Sequence, residues 1–375
     1  MMVSLPVSAC SSDRRRRCAA AAIALLVAAA GAPVGLAAQE PPPAPETVAS
    51  VLMYHRVGNP EYPTTNVTID QFRAHLDYLQ ENDFEIVPLA RVVEAMELGE
   101  SLPPRSVAIT FDDGYRSVGE TAHPLLAERD WPYTVFVNTA PVDAGMTGHM
   151  DWDRMRELAA DGVMFGNHSH SHDPLFYRRE GETRPRWRDR IRADLTTAQG
   201  RLRDELGDAV HRSPSLLAYP YGEYSLELMD QAAELGFVAF GQQSGAVGFD
   251  ANHLALPRFS FNERYSDLDG FAVKVRSRAM PVIEQTPLDP VRTDRTAPRL
   301  SLTLATDTDM QTDRMACYYQ GERLTPAEQG ADGQFVVQGE AELPVGRSRY
   351  NCTAPDRDGR YFWFSQLWVV GDGGQ

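Results

Sequence analysis

Four polar groups in this chain each stand directly after an apolar run of β type. His55 follows Ser50–Tyr54, and Asp112-Asp113-Gly114 follows Val107–Phe111. His168-Ser169-His170-Ser171-His172 follows Val163–Phe165, and Pro220-Tyr221-Gly222 follows Leu216–Tyr219. His168 and His172 are four apart, so one helical turn would bring both imidazoles to one side. Neutral imidazole suits Zn(II), and Co(II) or Ni(II) would suit the same ligands. A carboxylate then completes the three-ligand set of an open catalytic site. Asp112 and Asp113 are adjacent and so point differently: one can bind the metal while the other faces the water it holds. Two imidazoles, one carboxylate and a water make a hydrolytic arrangement. Each group alone has a plainer reading, the histidines as a solvated His-rich loop and Asp-Asp-Gly as an ordinary turn. His170 keeps that plainer reading, because its odd spacing turns it away from the other two.

The elements that must position these residues alternate in type. Further candidate strands are Glu85–Pro88, Thr134–Asn138, Val238–Phe240 and Leu254–Phe259. Candidate helices are Ile69–Glu81, Leu89–Leu98, Trp152–Ala160, Arg186–Leu206 and Ser225–Leu235, with Asp70 as a plausible cap of the first. The strands are continuous runs rich in Val, Ile and Phe, the pattern of a parallel sheet covered by helices. Alternation of this kind over some 235 residues predicts an α/β fold, either a (β/α) barrel or a doubly wound sheet. In barrels the C-terminal strand ends form the active-site rim, so the four polar groups converge on one face.

The ends of the chain differ from this middle. Arg14 to Arg17 precede an uncharged, largely apolar run, Ala19–Ala38, which predicts a secretory signal peptide cleaved near Ala37 or Ala38; an uncleaved membrane anchor is the alternative. Residues 39–47 form a proline-rich spacer, and 281–298 a second proline-rich stretch read as a linker. The tail, 299–375, shows strand-like runs Leu300–Thr306, Arg314–Tyr319, Gln334–Gln338, Arg347–Thr353 and Arg360–Val370, with turns at Asp332-Gly333 and Asp358-Gly359. It reads as a small all-β sandwich-like domain. Its aromatics Tyr361, Phe362, Trp363, Phe364 and Trp368 either fill the sandwich core by alternation or form a sugar platform. Cys10 and Cys18 leave with the signal, so Cys317 and Cys352 remain as an expected disulfide in an oxidising compartment, periplasmic or extracellular.

The 375 residues carry 36 basic and 52 acidic side chains, a formal charge of −16. Loss of residues 1–38 leaves 32 against 51, or −19. That balance argues against nucleic acid and against anionic lipid as partners. Lys274 is the only lysine. A monomer without an integral membrane domain after signal cleavage is expected.

Taken together, Thr110-Phe111-Asp112-Asp113-Gly114 and His168-Ser169-x-x-His172 resemble the first two motifs of polysaccharide deacetylases, the NodB-homology enzymes of carbohydrate esterase family four. The flanking text VLMYHRV (51–57), AITFDDGYRSV (108–118), TVFVNT (134–139) and AYPYGEYS (218–225) is most similar to the branch that holds the biofilm poly-N-acetylglucosamine deacetylases. The resemblance covers about 48–280 and implies a distorted (β/α) barrel there. It implies Asp112 as general base, Asp113, His168 and His172 as metal ligands, and the Tyr221 N–H as an oxyanion donor. Two departures stand out: Leu217, Ala218 and Tyr219 precede Pro220 where an arginine is common, and His253-Leu254 does not match the usual late Leu-x-His. His55 is therefore the candidate acid, or else a buried structural histidine. Arg258 is the candidate to replace the arginine by orienting Asp112, and Arg258 and Tyr115 are candidates for the substrate-binding shell.

The implied reaction is metal-assisted removal of N-acetyl groups from an N-acetylglucosamine-containing glycan, whether poly-N-acetylglucosamine, peptidoglycan or a chitin-like polymer. O-acetyl esterase activity would use the same machinery. A non-catalytic glycan-binding protein and a structural envelope protein are the readings outside enzymes.

Overall fold

The computed structural model describes residues 47–329 and 333–371. The expected signal peptide, Cys10, Cys18, most of the first proline-rich spacer and Asp332 of the expected turn lie outside those residues.

Seven parallel strands form the main sheet: β1 (Ser50–Tyr54), β2 (Ser106–Phe111), β3 (Thr134–Val137), β4 (Met164–Asn167), β5 (Ser215–Ala218), β6 (Phe237–Phe240) and β7 (Phe259–Ser260). Their order is β7-β1-β2-β3-β4-β5-β6, and the short strand Glu85–Ile86 also pairs with β2. Every pairing in this sheet is parallel. Near the sheet's two ends, a single bridge joins Phe240 to Leu256, while Leu52 pairs with Phe259. The sheet is thus a curled half-barrel. The expected strand Leu254–Phe259 shrinks to Phe259–Ser260, because Pro257 has no N–H for a ladder.

Two apolar layers cover this sheet. On one side Leu52, Tyr54, Val107, Ile109, Phe111 and Val135 pack with helix α1 (Ile69–Glu81). On the other, Val51, Ala108, Phe136, Leu216, Val238 and Phe240 pack with α2 (Leu89–Leu98). Burial of both faces is why the strands read as unbroken apolar runs. Helix α1 has the expected bounds, but its cap is Thr68 and not Asp70. The Thr68 hydroxyl accepts from the Gln71 N–H while the Gln71 side chain accepts from the Thr68 N–H, a reciprocal capping box. Asp70 sits in the first turn, where its charge suits the helix dipole. Helices α3 (Trp152–Ala160), α4 (Arg184–Leu206) and α5 (Leu226–Glu234) lie within two residues of expectation, and α6 (Leu268–Val275) is one the pattern did not disclose.

Beyond a two-stranded pairing of Arg56–Val57 with Asn66–Val67, the C-terminal part holds two further sheets facing each other. One holds β11 (Ala316–Tyr319), β13 (Gly346–Pro355) and β14 (Tyr361–Val370); the other holds β8 (Val282–Thr286), β10 (Leu300–Leu304) and β12 (Gln334–Val337). Leu300, Leu302, Leu304 and Phe335 meet Tyr319, Tyr350, Phe362 and Trp368 between them. The stretch 281–298 is not a free spacer: it carries β8 and β9 (Val291–Arg292), the latter paired with β14. Strand β14 also faces two ways. Phe362, Trp368 and Val370 enter the sandwich core, while Leu367 and Val369 pack with Leu217, Tyr219 and Leu228 of the half-barrel side. Trp363 stacks edge-on against Phe259 of β7, with ring centroids 5.3 Å apart.

Cys317 and Cys352 are bonded, and they sit opposite each other across the β11–β13 ladder. The bridge spans 35 residues of sequence. Replacing both cysteines by serine should lower unfolding free energy by about 3 to 4 kcal/mol in denaturant titration. The same change should leave cation binding at Asp113 intact.

Candidate active site

The strand ends do bring the four polar groups together. A cavity of about 1010 Å³ is lined by His55, Asp113, His168, His172 and Tyr221, among others. Asp112 lies just behind that lining and is fully buried. Its N–H donates to the Tyr54 carbonyl at 2.9 Å, continuing the β1–β2 pairing by one residue. The next residue, Asp113, breaks away with φ of +71°. This backbone reversal sends two consecutive carboxylates in different directions, and a left-handed non-glycine residue of that kind is costly unless its surroundings hold it.

Arg258 holds the first carboxylate. Its Nη1 and Nη2 donate to the two Asp112 oxygens at 2.7 and 2.8 Å, and its Nε donates to the Gly241 carbonyl at 3.0 Å. Both side chains are fully buried. Burial alone would raise the Asp112 pKa; Arg258 and His168 outweigh it and hold the group below the usual carboxylate range. Arg258 therefore orients Asp112, as one expectation had it. The other expectation, that it binds substrate, is corrected: a fully buried guanidinium spent on Asp112 does not face the cavity.

The second carboxylate has a different answer. Among the described residues Asp113 Oδ1 is buried without a well-formed hydrogen bond, with His168 Nε2 3.3 Å and His172 Nε2 3.1 Å from it. One ligand atom from each of these three residues falls within 4.8 Å of the others. His168 Nδ1 meets the Ala218 carbonyl at 2.8 Å, which fixes the proton there and turns the Nε2 lone pair toward Asp113. An orphaned carboxylate oxygen facing two imidazole nitrogens, that of His168 with its lone pair so turned, fits a divalent cation. Burial pushes the Asp113 pKa up, but the two histidines more than reverse it, leaving the group well below its ordinary value.

The route to this geometry differs from the expected helical turn. Ser169 and His172 both have positive φ, 67° and 59°, so 168–172 is a folded loop. Asn167 accepts from the Ser169 N–H through Oδ1, and its amide donates to the Leu195 carbonyl. Asp194 of α4 accepts from the N–H groups of His170 and Ser171. His170 turns away and meets Thr139 Oγ1 at 2.8 Å, as its spacing implied.

His55 is half-buried in the cavity wall and has no hydrogen-bond partner among the described residues. Burial lowers its pKa against the pull of Asp113 and Asp112, so the ring at rest is driven toward the neutral form. Tyr115 also lines the cavity, its ring 3.4 Å below the Arg56 guanidinium. Burial, then Asp113, pushes its phenol far up, so it stays a neutral donor.

Two site residues were missed in the sequence. Arg347 of β13 donates to the Tyr221 carbonyl and approaches Glu223 at 3.5 Å. Tyr221 itself has φ of +59°, and a Cβ on the neighbouring Gly222 would strike Gln242 at 2.4 Å. Arg349 donates to the Gln242 carbonyl at 2.8 Å. The sandwich thus clamps the 220–223 turn that follows β5. A strand arginine 126 residues from its partner carries no local signal.

Arg258→Gln should destabilise the fold by about 3 to 5 kcal/mol in thermal or urea unfolding, because it strands a buried carboxylate. Adding Asp112→Asn should recover part of that loss. Arg347→Ala should lower kcat for whatever reaction the site performs more than it raises KM, with cation content unchanged.

Residues 99–240 match the family model described as polysaccharide deacetylase. The poly-beta-1,6-N-acetyl-D-glucosamine N-deacetylase of Escherichia coli is 25% identical over 230 residues, covering 52% of this chain and 33% of that protein. The protein of the same name from Staphylococcus epidermidis is 25% identical over 247 residues, covering 60% and 84%. This chain therefore spans only about a third of the Escherichia coli relative's length. Among solved structures, the Streptococcus pyogenes deacetylase PplD in complex with acetate aligns with a TM-score of 0.54 at 20% identity, covering 62% of this chain and 99% of that one. IcaB from Ammonifex degensii aligns at 0.51 and 23% identity, covering 60% and 96%. These structural likenesses speak for the fold. The half-barrel, the strand-end carboxylates and the paired imidazoles agree with that match: over residues 99–240 this chain is similar to the polysaccharide deacetylase family.

Proposed function

We propose that this protein removes N-acetyl groups from an N-acetylglucosamine-containing polysaccharide by cation-assisted amide hydrolysis. The observation that carries the reading is the orphaned Asp113 oxygen facing two imidazoles, beside a second carboxylate kept ionised by Arg258. Relatives named poly-beta-1,6-N-acetyl-D-glucosamine N-deacetylases favour that polymer over peptidoglycan or chitin-like chains.

Asp113, His168 and His172 would hold the cation, with Zn(II) the first choice for two nitrogens and one oxygen, and Co(II) or Ni(II) compatible. Such an ion, when bound, polarises the acetyl carbonyl and makes the attacking water more acidic. Asp112 is the base that takes the water's proton; its ion pair with Arg258 keeps it in the form that can accept one. The Tyr221 N–H is the donor for the oxyanion that develops as water adds to the carbonyl carbon. Breaking the C–N bond then needs a proton on the departing amine. His55 faces the cavity with a free ring and is the group assigned to deliver it. Because burial lowers the pKa of that ring, the proton it gives would be one taken up during turnover. Tyr115 is assigned to the substrate-facing wall. Acetate and a free glucosamine amine are the products.

The same reading assigns residues 1–38 as an export signal, 48–280 as the catalytic half-barrel and 299–375 as an all-β accessory domain, in a monomer acting outside the cytoplasm. The test is acetate release from poly-β-1,6-N-acetylglucosamine by the metal-loaded protein. Wild type should release acetate; Asp112→Asn should retain the metal and lose at least about 100-fold in turnover. His168→Ala should lose both. A fully active Asp112→Asn protein would contradict the assignment.

A further inference from the structure

The protein is strongly acidic overall, yet one wall of its cavity is cationic. The chain's only lysine, Lys274 on α6, lines that wall, and so do Arg347 and Arg349 of β13. Arg347 is accounted for by Glu223 and the Tyr221 carbonyl. The other two are not. Lys274 Nζ donates to the Tyr265 carbonyl at 3.1 Å and lies 4.6 Å from the Phe261 ring. Arg349 donates only to the neutral Gln242 carbonyl. Among the described residues neither has a carboxylate within 4.0 Å.

Both cations are partly buried. Burial lowers the Lys274 pKa to about 8, with Asp267 pulling the other way at longer range. Burial also lowers that of Arg349, and the charged side chain that acts on it next is Arg347, a like charge. A partly buried cation without a close counter-charge is costly, and in a chain with 52 acidic residues the lack of a carboxylate within 4.0 Å of either is a local exception. The two come from distant segments, α6 and β13, and both approach Tyr265. An anion entering the cavity would supply what the protein withholds. A guanidinium and an ammonium lining one cavity suit a carboxylate, which can accept from both.

We propose that Lys274 and Arg349 form a subsite for a carboxylate carried by the glycan, on a sugar next to the one that is deacetylated. This rests on the deacetylase reading for the identity of the glycan, though not for the existence of the anion site. Poly-N-acetylglucosamine would still be deacetylated with this subsite unfilled, and an amino-sugar polymer that also carries carboxylates would fill it. The sandwich, through Arg349, contributes to substrate choice.

The test is a calorimetric or NMR titration of the metal-loaded full chain with D-glucuronate and, separately, D-glucose. Glucuronate should bind at least 10-fold more tightly than glucose, and Arg349→Gln and Lys274→Gln should each reduce that preference several-fold. Thermal melts establish that each variant is folded, and either one suffices. Equal binding of the two sugars by wild type would overturn the proposal. So would a preference that survives in both variants, since the carboxylate would then be sitting on the cation. Acetate release from the same preparations is read independently: turnover without a uronate preference sinks only the subsite, and a uronate preference without turnover sinks only the deacetylase reading.

Discussion

Two adjacent carboxylates, Asp112 and Asp113, are buried at the end of one strand, and much of the site follows from how each is neutralised. Two like charges in a low-dielectric setting cannot both stay ionised without separate counter-charges. Asp112 receives a permanent one from Arg258, which is buried with it. Asp113 receives only two imidazoles, whose Nε2 atoms face it within 3.3 Å. On the proposed reading that asymmetry divides the labour: one carboxylate would be held for proton transfer, and the other would be completed by a cation.

Holding this arrangement requires backbone that ordinary residues resist. Asp113, Ser169, His172 and Tyr221 all adopt positive φ around the same cavity. The 169–171 segment and the Tyr221 turn are braced from other elements. Asn167 and Asp194 receive the N–H groups of 169–171, and Arg347 reaches from the sandwich to the Tyr221 carbonyl. Strain of about 1 to 3 kcal/mol per residue persists only where such support exists. The sandwich is therefore structural support for the catalytic turn as well as a separate sheet pair. The two-faced strand β14, buried on both sides, joins them.

Much of this was legible in the sequence. The apolar runs before His55, Asp112, His168 and Pro220 are strands that end where those residues begin, because burial on both faces leaves little room for polar positions. The ligand set was legible through residue type and pairing, but the reason for its geometry was not. Spacing of four suggests a helical turn, whereas Ser169 and His172 form a loop that Asn167 and Asp194 pin. Thr68 was passed over as a cap although Thr-x-x-Gln is a capping-box pattern. Residues 281–298 hid two short strands, since proline-rich text lacks the alternation that marks a ladder. Arg347 and Arg349 look like solvated strand positions, and only the fold brings them to the cavity.

The central claim is that Asp113 is completed by a divalent cation held with His168 and His172. Titrating Zn(II) into the cation-free full chain, with calorimetry for stoichiometry and thermal unfolding for linkage, tests it directly. One equivalent should bind and raise the melting temperature. In Asp113→Ala both effects should fall by at least about 10- to 100-fold in affinity, a loss of the size seen when support for a metal site is removed. No saturable binding by wild type, or equal binding by Asp113→Ala, would contradict the account.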